Sequence, residues 1–174
     1  LKLILITGQR PNECSGIHIN ELVGDIWTIP ASRRKKTDLE HKVPLSSLAL
    51  KVIEDAKMEI CRLSKRRKTK WNGYLFENKA GKPLHPSSLA QATGRKSKFF
   101  EAIIHPEFGV WRPHDLRRTC RTGLSILGIN TEISELVIGH AKQGMLSVYD
   151  LHQFEPQKEH ALRAWSDHLI EKIG

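Results

Sequence analysis

Beyond its midpoint the chain reads Pro113-His114-Asp115-Leu116-Arg117-Arg118-Thr119. Proline favours the first turn of a helix and Gly128 is a natural helix end, so the sequence predicts a helix from His114 to Leu127. His114 and Arg117 are three residues apart on this helix and therefore point the same way. One can take a proton while the other holds a phosphate oxygen, although the segment alone is more typical of a solvated basic helix start.

A second arginine lies near the start of the chain, in Thr7-Gly8-Gln9-Arg10-Pro11-Asn12-Glu13. The glycine is typical of a helix end and the proline of a helix start, which puts Arg10 at an elbow before a short helix that runs to Ile17. Glu13 is placed to orient this guanidinium through a charge-assisted hydrogen bond. Taken alone, Arg10 is more typical of an ordinary exposed elbow residue.

Short β-prone runs follow the second helix. Two of them, Glu21-Leu22-Val23 and Ile26-Trp27-Thr28-Ile29-Pro30, flank a Gly24-Asp25 turn, and a third is His41-Lys42-Val43-Pro44-Leu45. These runs predict a small antiparallel sheet. The polar segment Ala31–Glu40 is expected to be its exposed hairpin tip.

The hairpin segment contains the basic run Arg33-Arg34-Lys35-Lys36-Thr37. Lys35 or Lys36 is open to three interpretations: a solvated charge, an anchor for a phosphate backbone, or a general acid that protonates a leaving 5′ oxygen. Lysine suits the last role because it can deliver a proton, whereas arginine practically cannot.

The remaining segments are mostly helical. Apolar residues at helical spacing, capped by Ser46 or Ser47, predict a helix that ends in the charge run Ser64–Lys70. Turn signals in Trp71–Leu84 predict a loop. Further helices are predicted from Pro86 towards Ile104, from Asn130 or Thr131 to before Gly139, around Tyr149, and from Pro156 with an apolar face at Ala161, Leu162, Trp165, Leu169 and Ile173.

Charge and size limit the class of protein. A net charge of +9 and a pI near 9.6 favour a polyanionic partner, because each phosphate that Lys or Arg neutralises releases counterions. With 174 residues, 39% of them hydrophobic, one compact domain is expected over residues 1–174. The chain opens on the apolar run Leu1–Ile6 without an initiator methionine, so we expect a fragment of a longer protein.

The sequence also indicates a compartment. Its apolar runs are only a few residues long, far short of the roughly 20 that span a bilayer, and it opens with no signal-peptide pattern. Its three cysteines are widely separated, which indicates neither a disulfide framework nor a zinc site. We therefore expect a soluble intracellular protein in a reducing compartment, with no metal and no cofactor.

Tyr149 is the candidate nucleophile. A free tyrosine, with a pKa of about 10, is protonated at intracellular pH and needs both a base and a charged clamp. Fixed donors from Arg10, Arg117 and His140 suit a phosphodiester under attack, whose non-bridging oxygens accumulate negative charge, and they need no metal to do so. Alone, Tyr149 is more typical of packed core and His140 of a helix end.

In this order and spacing the motifs resemble the tyrosine recombinase family, most closely the integrases of prophages and genomic islands. The resemblance spans nearly the whole chain. It rests on Thr7–Glu13, the hairpin from Trp27-Thr28-Ile29-Pro30 to Val43-Pro44-Leu45-Ser46, His114–Thr119, Ile138-Gly139-His140 and Tyr149-Asp150.

The resemblance implies an α+β, mainly α-helical catalytic domain with a small antiparallel β-sheet. Arg10, Lys36, His114, Arg117 and His140 would surround Tyr149, with Glu13 in support. Lys36 is favoured over Lys35 because the family's catalytic lysine is commonly followed by threonine, although the hairpin is slightly longer than the usual pattern.

The family also implies partners. These are double-stranded DNA attachment sites, further protomers that assemble on DNA as a tetramer, and accessory DNA-bending proteins, in the bacterial cytoplasm. An amino-terminal DNA-binding domain, which this sequence lacks, would complete the clamp around the duplex. The closing segment Glu155–Ile173 resembles the family's tail, which often packs on a neighbouring protomer.

The expected function is site-specific recombination. Tyr149 attacks the scissile phosphate to give a 3′-phosphotyrosyl bond and a free 5′ hydroxyl, and attack by another strand's hydroxyl reverses the step. Arg10, Arg117 and His140 stabilise the transition state, His114 accepts the tyrosine proton and Lys36 supplies the acid. The alternatives are a type IB topoisomerase, which rejoins the same strand, and a non-catalytic DNA-binding module.

Overall fold

The computed structural model describes residues 1–34, 38–95, 111–140 and 154–173. Within these ranges, helices surround a small antiparallel sheet, which confirms the predicted fold class. The elements in chain order are α1 (Lys2–Thr7), α2 (Pro11–Ser15), β1 (Leu22–Val23), β2 (Ile26–Ile29), β3 (His41–Pro44), α3 (Ser47–Arg67), α4 (Pro86–Arg95), α5 (Pro113–Ile126), α6 (Thr131–Val137) and α7 (Glu155–Ile173). None of the helices described is long and apolar enough to span a bilayer.

Helix α1 lies at the centre of the core. Leu3, Ile4 and Ile6 are buried, and the helix packs against α3, α5 and α7. Gly8 ends it in the left-handed conformation, at φ 67°, and donates its N–H to the Ile4 carbonyl. A side chain at Gly8 would also press on Cys120 of α5. Glycine is therefore required at this helix end, which fixes where the following elbow begins.

The sheet has the predicted three strands in the order β1-β2-β3. Trp27 lies opposite Val43 and Ile29 opposite His41, and these four side chains are buried. The Trp27 indole N–H donates to the Glu21 carboxylate at 2.9 Å. Burial of this face sets the register, since a shift by one residue would turn these side chains to solvent.

The expectation of an exposed tip over Ala31–Glu40 is wrong for the first part of that segment. Ala31–Arg33 forms a short 3-10 turn, and both Arg33 and Arg34 are partly buried. Their guanidinium groups donate to carbonyl oxygens of the protein body, to Gly16 and Gly139 respectively. The polar composition predicted solvent exposure, but these long side chains find backbone acceptors instead.

Helix α7 completes the core of its own chain. Trp165 is buried and its indole N–H donates to the Leu5 carbonyl of α1 at 2.8 Å, and Lys158 donates to the Lys42 carbonyl of β3 at 2.5 Å. The tail expected to pack on a neighbouring protomer thus packs here against α1, α3, α5, α6 and β3. The inclusion of Ile173 in its apolar face is wrong, because that side chain is 75% exposed.

Other boundaries follow the sequence closely. Ser46 caps α3 by accepting the Ala49 N–H, and Asn130 caps α6 by accepting the Glu132 N–H. The helix predicted to reach Ile17 ends at Ser15. The predicted extension of α4 beyond Arg95 and the predicted helical segment around Tyr149 lie outside the described residues.

The contact between α5 and α7 gives a stability prediction. A Cβ atom at Gly123 of α5 would overlap the six-membered ring of Trp165. Gly123→Ala should therefore lower the free energy of unfolding by about 1–3 kcal/mol, because the indole must move in a close-packed core. Chemical denaturation measures this change.

Gly94→Ala is the matched control. Gly94 lies in α4, and a Cβ there meets nothing within 4 Å. This variant should gain up to about 1 kcal/mol, since alanine is favoured over glycine inside a helix. Equal effects of the two substitutions would contradict the packing described.

Candidate active site

Among the described cations of the predicted site, Arg117 is the most buried, with only 2% of its surface exposed. Its Nη1 donates to the Gly8 carbonyl at 2.8 Å, and its Nη2 lies 2.8 Å from Nε2 of His140. Burial, and next the charge of Arg10, lower the pKa of Arg117 to about 10. Arg117 therefore remains a guanidinium at neutral pH, held between the end of α1 and the turn after α6.

The start of α5 sets the position of Arg117. Pro113 occupies the first turn, and the Asp115 carboxylate accepts the Arg112 N–H at 2.7 Å. This contact satisfies one backbone donor at the helix start and places a negative charge near the positive end of the helix dipole. The predicted boundary at Pro113 is confirmed, since the cap depends on neighbouring residues alone.

Arg10 lies at the predicted elbow and caps α2. Glu13, which is 1% exposed, accepts the Arg10 backbone N–H at 2.7 Å and its Nη1 at 3.0 Å. The side chain of Arg10 stays 22% exposed, so part of the guanidinium faces solvent. The positive charge of Arg10 acts on both Arg117 and His114, because it helps to lower the pKa of each.

A further arginine supports this elbow from behind. Arg33 donates to the carbonyls of Glu13 and Gly16 and forms an ion pair with Glu21. Arg33 lies in the segment predicted to be an exposed tip, and no role was predicted for it. No local signal distinguishes it from its basic neighbours, because its acceptors are 12 to 20 residues away in the chain.

His140 follows Gly139, which has φ 72°. Its Nδ1 lies 2.9 Å from Oε2 of Glu135, and its backbone N–H donates to the Glu135 carbonyl at 2.8 Å. The other Glu135 oxygen accepts a hydrogen bond from Nε of Arg121 at 2.7 Å. Neither Glu135 nor Arg121 was predicted from the sequence. Helical spacing places Arg121 one turn after Arg117, which is the signal that could have identified it.

The turn that presents His140 is held by three side chains. Gln9, which is fully buried, donates Nε2 to the carbonyls of Thr7 and Val137. From the sheet side, His41 lies 3.2 Å from the Val137 carbonyl, and Arg34 donates to the Gly139 carbonyl at 3.0 Å. The end of α6 is thereby tied to the elbow and to the sheet.

His41 is held neutral at this turn. Burial, and next the charges of Lys158 and Arg34, bring the pKa of His41 well below its usual value. Its Nε2 therefore reaches the Val137 carbonyl as the N–H donor of a neutral ring.

His114 lies on the same side of α5 as Arg117. Partial burial, and next the charges of Arg117 and Arg118, lower the pKa of His114 below its usual value of 6.5. The ring is therefore neutral at pH 7 and able to accept a proton.

The structure brings Arg10, His114, Arg117 and His140 together; we call these four residues the basic cluster. They come from the elbow, the first turns of α5 and the turn after α6, and Glu13 is buried beside them. Lys35, Lys36 and Tyr149 lie outside the described residues, so the predicted acid and nucleophile are not placed.

A sequence model of the Phage integrase family matches residues 1–156, and the chain belongs to this family. No curated protein matches it in sequence at a significant level.

Solved structures share its fold. The Tn1549 transposon integrase in complex with transposon right end DNA has a TM-score of 0.63 at 19% identity, covering 90% of this chain and 56% of that chain. XerA recombinase has a TM-score of 0.60 at 21% identity, with 90% and 55% covered. XerH recombinase bound to its difH substrate has a TM-score of 0.58 at 23% identity, with 85% and 40% covered. The chain spans about half the length of the first two.

The support of the elbow by Arg33 can be measured as stability. Arg33→Ala should lower the free energy of unfolding by about 2 kcal/mol, because hydrogen bonds to a charged group are lost and partly buried acceptors are left unpaired. Arg118→Ala is the control, since Arg118 is 75% exposed and forms one surface ion pair with Asp115. It should cost less than about 1 kcal/mol. An Arg33 variant as stable as the control would show that Arg33 is a solvated charge.

Proposed function

We propose that this chain is the catalytic domain, over residues 1–174, of a site-specific DNA recombinase. It would cut and rejoin DNA through a 3′-phosphotyrosyl intermediate. The observation that supports this best is the basic cluster itself: His114, His140 and Arg10, which is more than 100 residues away in the chain, lie around the buried guanidinium of Arg117. Membership of the Phage integrase family supports the same proposal.

The basic cluster suits a phosphodiester that gains negative charge. Nη1 of Arg117 is committed to the Gly8 carbonyl, which fixes the plane of the guanidinium. Nη2 contacts a ring nitrogen of His140, and a phosphate oxygen is a better acceptor for it. Arg10, oriented by Glu13, offers a second partly exposed guanidinium. Donors fixed before the reaction stabilise the developing charge without reorganising.

The proton transfers follow from the charge states. The Tyr149 oxygen forms a bond to phosphorus as its proton passes to neutral His114, whose lowered pKa leaves a ring nitrogen free to accept it. The bond from phosphorus to the 5′ oxygen breaks, and Lys36 gives that oxygen a proton. In the reverse step a 5′ hydroxyl attacks the phosphotyrosyl bond, so the bond energy is conserved and the strand is rejoined.

The partners proposed are double-stranded DNA attachment sites and further protomers that form a tetramer on them, with accessory DNA-bending proteins. The net charge of +9 favours binding to a polyanion. The structures of the Tn1549 integrase and of XerH, which share this fold, are complexes with DNA. The proposed location is the bacterial cytoplasm, where such DNA lies.

The nucleophile is tested with Tyr149→Phe in the full-length protein. The substrate is a duplex that spans the boundary of the encoding element, nicked beside the cleavage site so that the covalent adduct accumulates. Removal of one hydroxyl should abolish the adduct and leave DNA binding intact, as shown by denaturing gels and binding assays. Tyr74→Phe, which changes the only other tyrosine, should form the adduct at the normal rate. If Tyr149→Phe still forms the adduct and Tyr74→Phe does not, the nucleophile is Tyr74 and not Tyr149.

The acid is tested with a substrate that carries sulfur at the 5′ bridging position. Lys36→Ala should slow cleavage of ordinary DNA by roughly 10²–10⁴-fold, the range for one general acid. Sulfur leaves without a proton, so the same variant should cleave the sulfur substrate at close to the normal rate. Arg117→Ala should stay slow on both, because it stabilises charge. If the sulfur substrate restores cleavage by Lys35→Ala instead, the general acid is Lys35. If Lys36→Ala is equally slow on both substrates, Lys36 is not the general acid.

A further inference from the structure

Arg121 and Glu135 form a chain of contacts that ends on His140. Nε of Arg121 lies 2.7 Å from Oε1 of Glu135, and Oε2 of the same carboxylate lies 2.9 Å from Nδ1 of His140. The Arg121 side chain is only 22% exposed and that of Glu135 34%. Neither residue belongs to the motifs on which the family resemblance rests, and the mechanism above does not use them.

Hydrogen-bond chemistry fixes the protons along this chain. A guanidinium can only donate, so the contact between Nη2 of Arg117 and Nε2 of His140 requires Nε2 to accept. The neutral ring must then carry its proton on Nδ1, which donates it to Glu135. Along the chain of contacts from Arg121 through Glu135 and His140 to Arg117, every donor therefore meets an acceptor.

In this state His140 cannot help a phosphate, because Nε2 is an acceptor and repels phosphate oxygens. A donor at Nε2 requires a second proton on the ring. The side chain of His140 is 50% exposed, so that proton can come from solvent. Nη2 of Arg117 would at the same time leave Nε2 for a phosphate oxygen, which removes the conflict between two donors.

We propose that Glu135, held by Arg121, is a positioning residue that keeps Nδ1 of His140 protonated and allows Nε2 to change from acceptor to donor when a phosphate enters. This inference rests on the function proposed above. The carboxylate stabilises the imidazolium by charge as well as by its hydrogen bond, and the ion pair with Arg121 fixes its orientation.

The charges around His140 support this role for Glu135. From α5, Arg117 contacts the ring and Arg121 reaches it through Glu135; from the sheet, Arg34 and neutral His41 lie against Gly139. These cations surround the turn that carries His140, and the Glu135 carboxylate places a negative charge against its ring. Partial burial opposes its ionisation, but hydrogen bonds from Arg121 and His140 outweigh that and lower the pKa of Glu135. The carboxylate is therefore charged at neutral pH.

The first arm of the test needs no activity. In the full-length protein with ¹⁵N-labelled histidine, the His140 signals are assigned by their loss in His140→Gln. At a pH where the ring is neutral, the free wild-type protein should show the proton on Nδ1. Because the donor Nη2 of Arg117 also favours this tautomer, the role of Glu135 is measured in Arg117→Ala, where the proton should stay on Nδ1. Adding Glu135→Ala to that variant should populate the tautomer with the proton on Nε2. A wild-type ring protonated on Nε2, or the same tautomer in Arg117→Ala with and without Glu135→Ala, would overturn the inference.

The second arm measures single-turnover formation of the covalent adduct against pH at saturating DNA. Glu135→Gln keeps an acceptor but loses the charge, so its rate should match wild type at low pH and fall off about one pH unit earlier on the alkaline side. Arg121→Ala should shift the profile the same way by less. Glu59→Gln, which removes the same charge from an exposed ion pair with Arg62, should not shift it.

The two arms separate this inference from the proposed function. A wild-type protein that forms no adduct would contradict the proposed function, while the tautomer arm still tests the role of Glu135. Normal adduct formation in wild type with an unshifted profile in Glu135→Gln would overturn the inference alone. An equal loss of rate at every pH would show that Glu135 is only structural.

Discussion

The bond from Arg117 to the Gly8 carbonyl is the interaction on which the rest of the site depends. A guanidinium with 2% exposure must be hydrogen-bonded, because an unpaired buried charge is strongly destabilising. The left-handed turn at Gly8 supplies the acceptor. The same turn carries the chain into the elbow, so the geometry that satisfies Arg117 also places Arg10 beside it.

The turn after α6 is held in an equally constrained way. Its Val137 and Gly139 carbonyls accept hydrogen bonds from Gln9, His41 and Arg34, which belong to the elbow and the sheet. The sheet therefore helps to position the site. Its buried face packs in the core, and Arg34, in the segment between β2 and β3, donates to the Gly139 carbonyl of the turn. Separate parts of the chain thus converge on the basic cluster.

Sequence signals within a few residues predicted the helix ends and turns, because neighbouring residues determine these features. The helix end at Gly8, the helix start at Pro113 and the strand pairing around Gly24 are set by neighbouring residues, and each is present. Arg33 was interpreted as solvated because a run of basic residues usually is, and only packing of the hairpin on the elbow gives it acceptors. Glu135 and Arg121, 14 residues apart, meet only after α5 packs against α6. Ile173 fits the helical spacing of the apolar residues in α7, but its side chain is exposed beyond the buried Leu169.

Arg117 and His140, which contact each other at 2.8 Å, are proposed to act as one unit on the phosphate. The most direct measurement is a double-mutant cycle on the rate of adduct formation, with Arg117→Ala, His140→Ala and the double variant. Each single change should slow the reaction by about 10²–10³-fold. The double variant should be far less impaired than the product of the two losses, because each residue positions the other. Losses that simply multiply would contradict the claim.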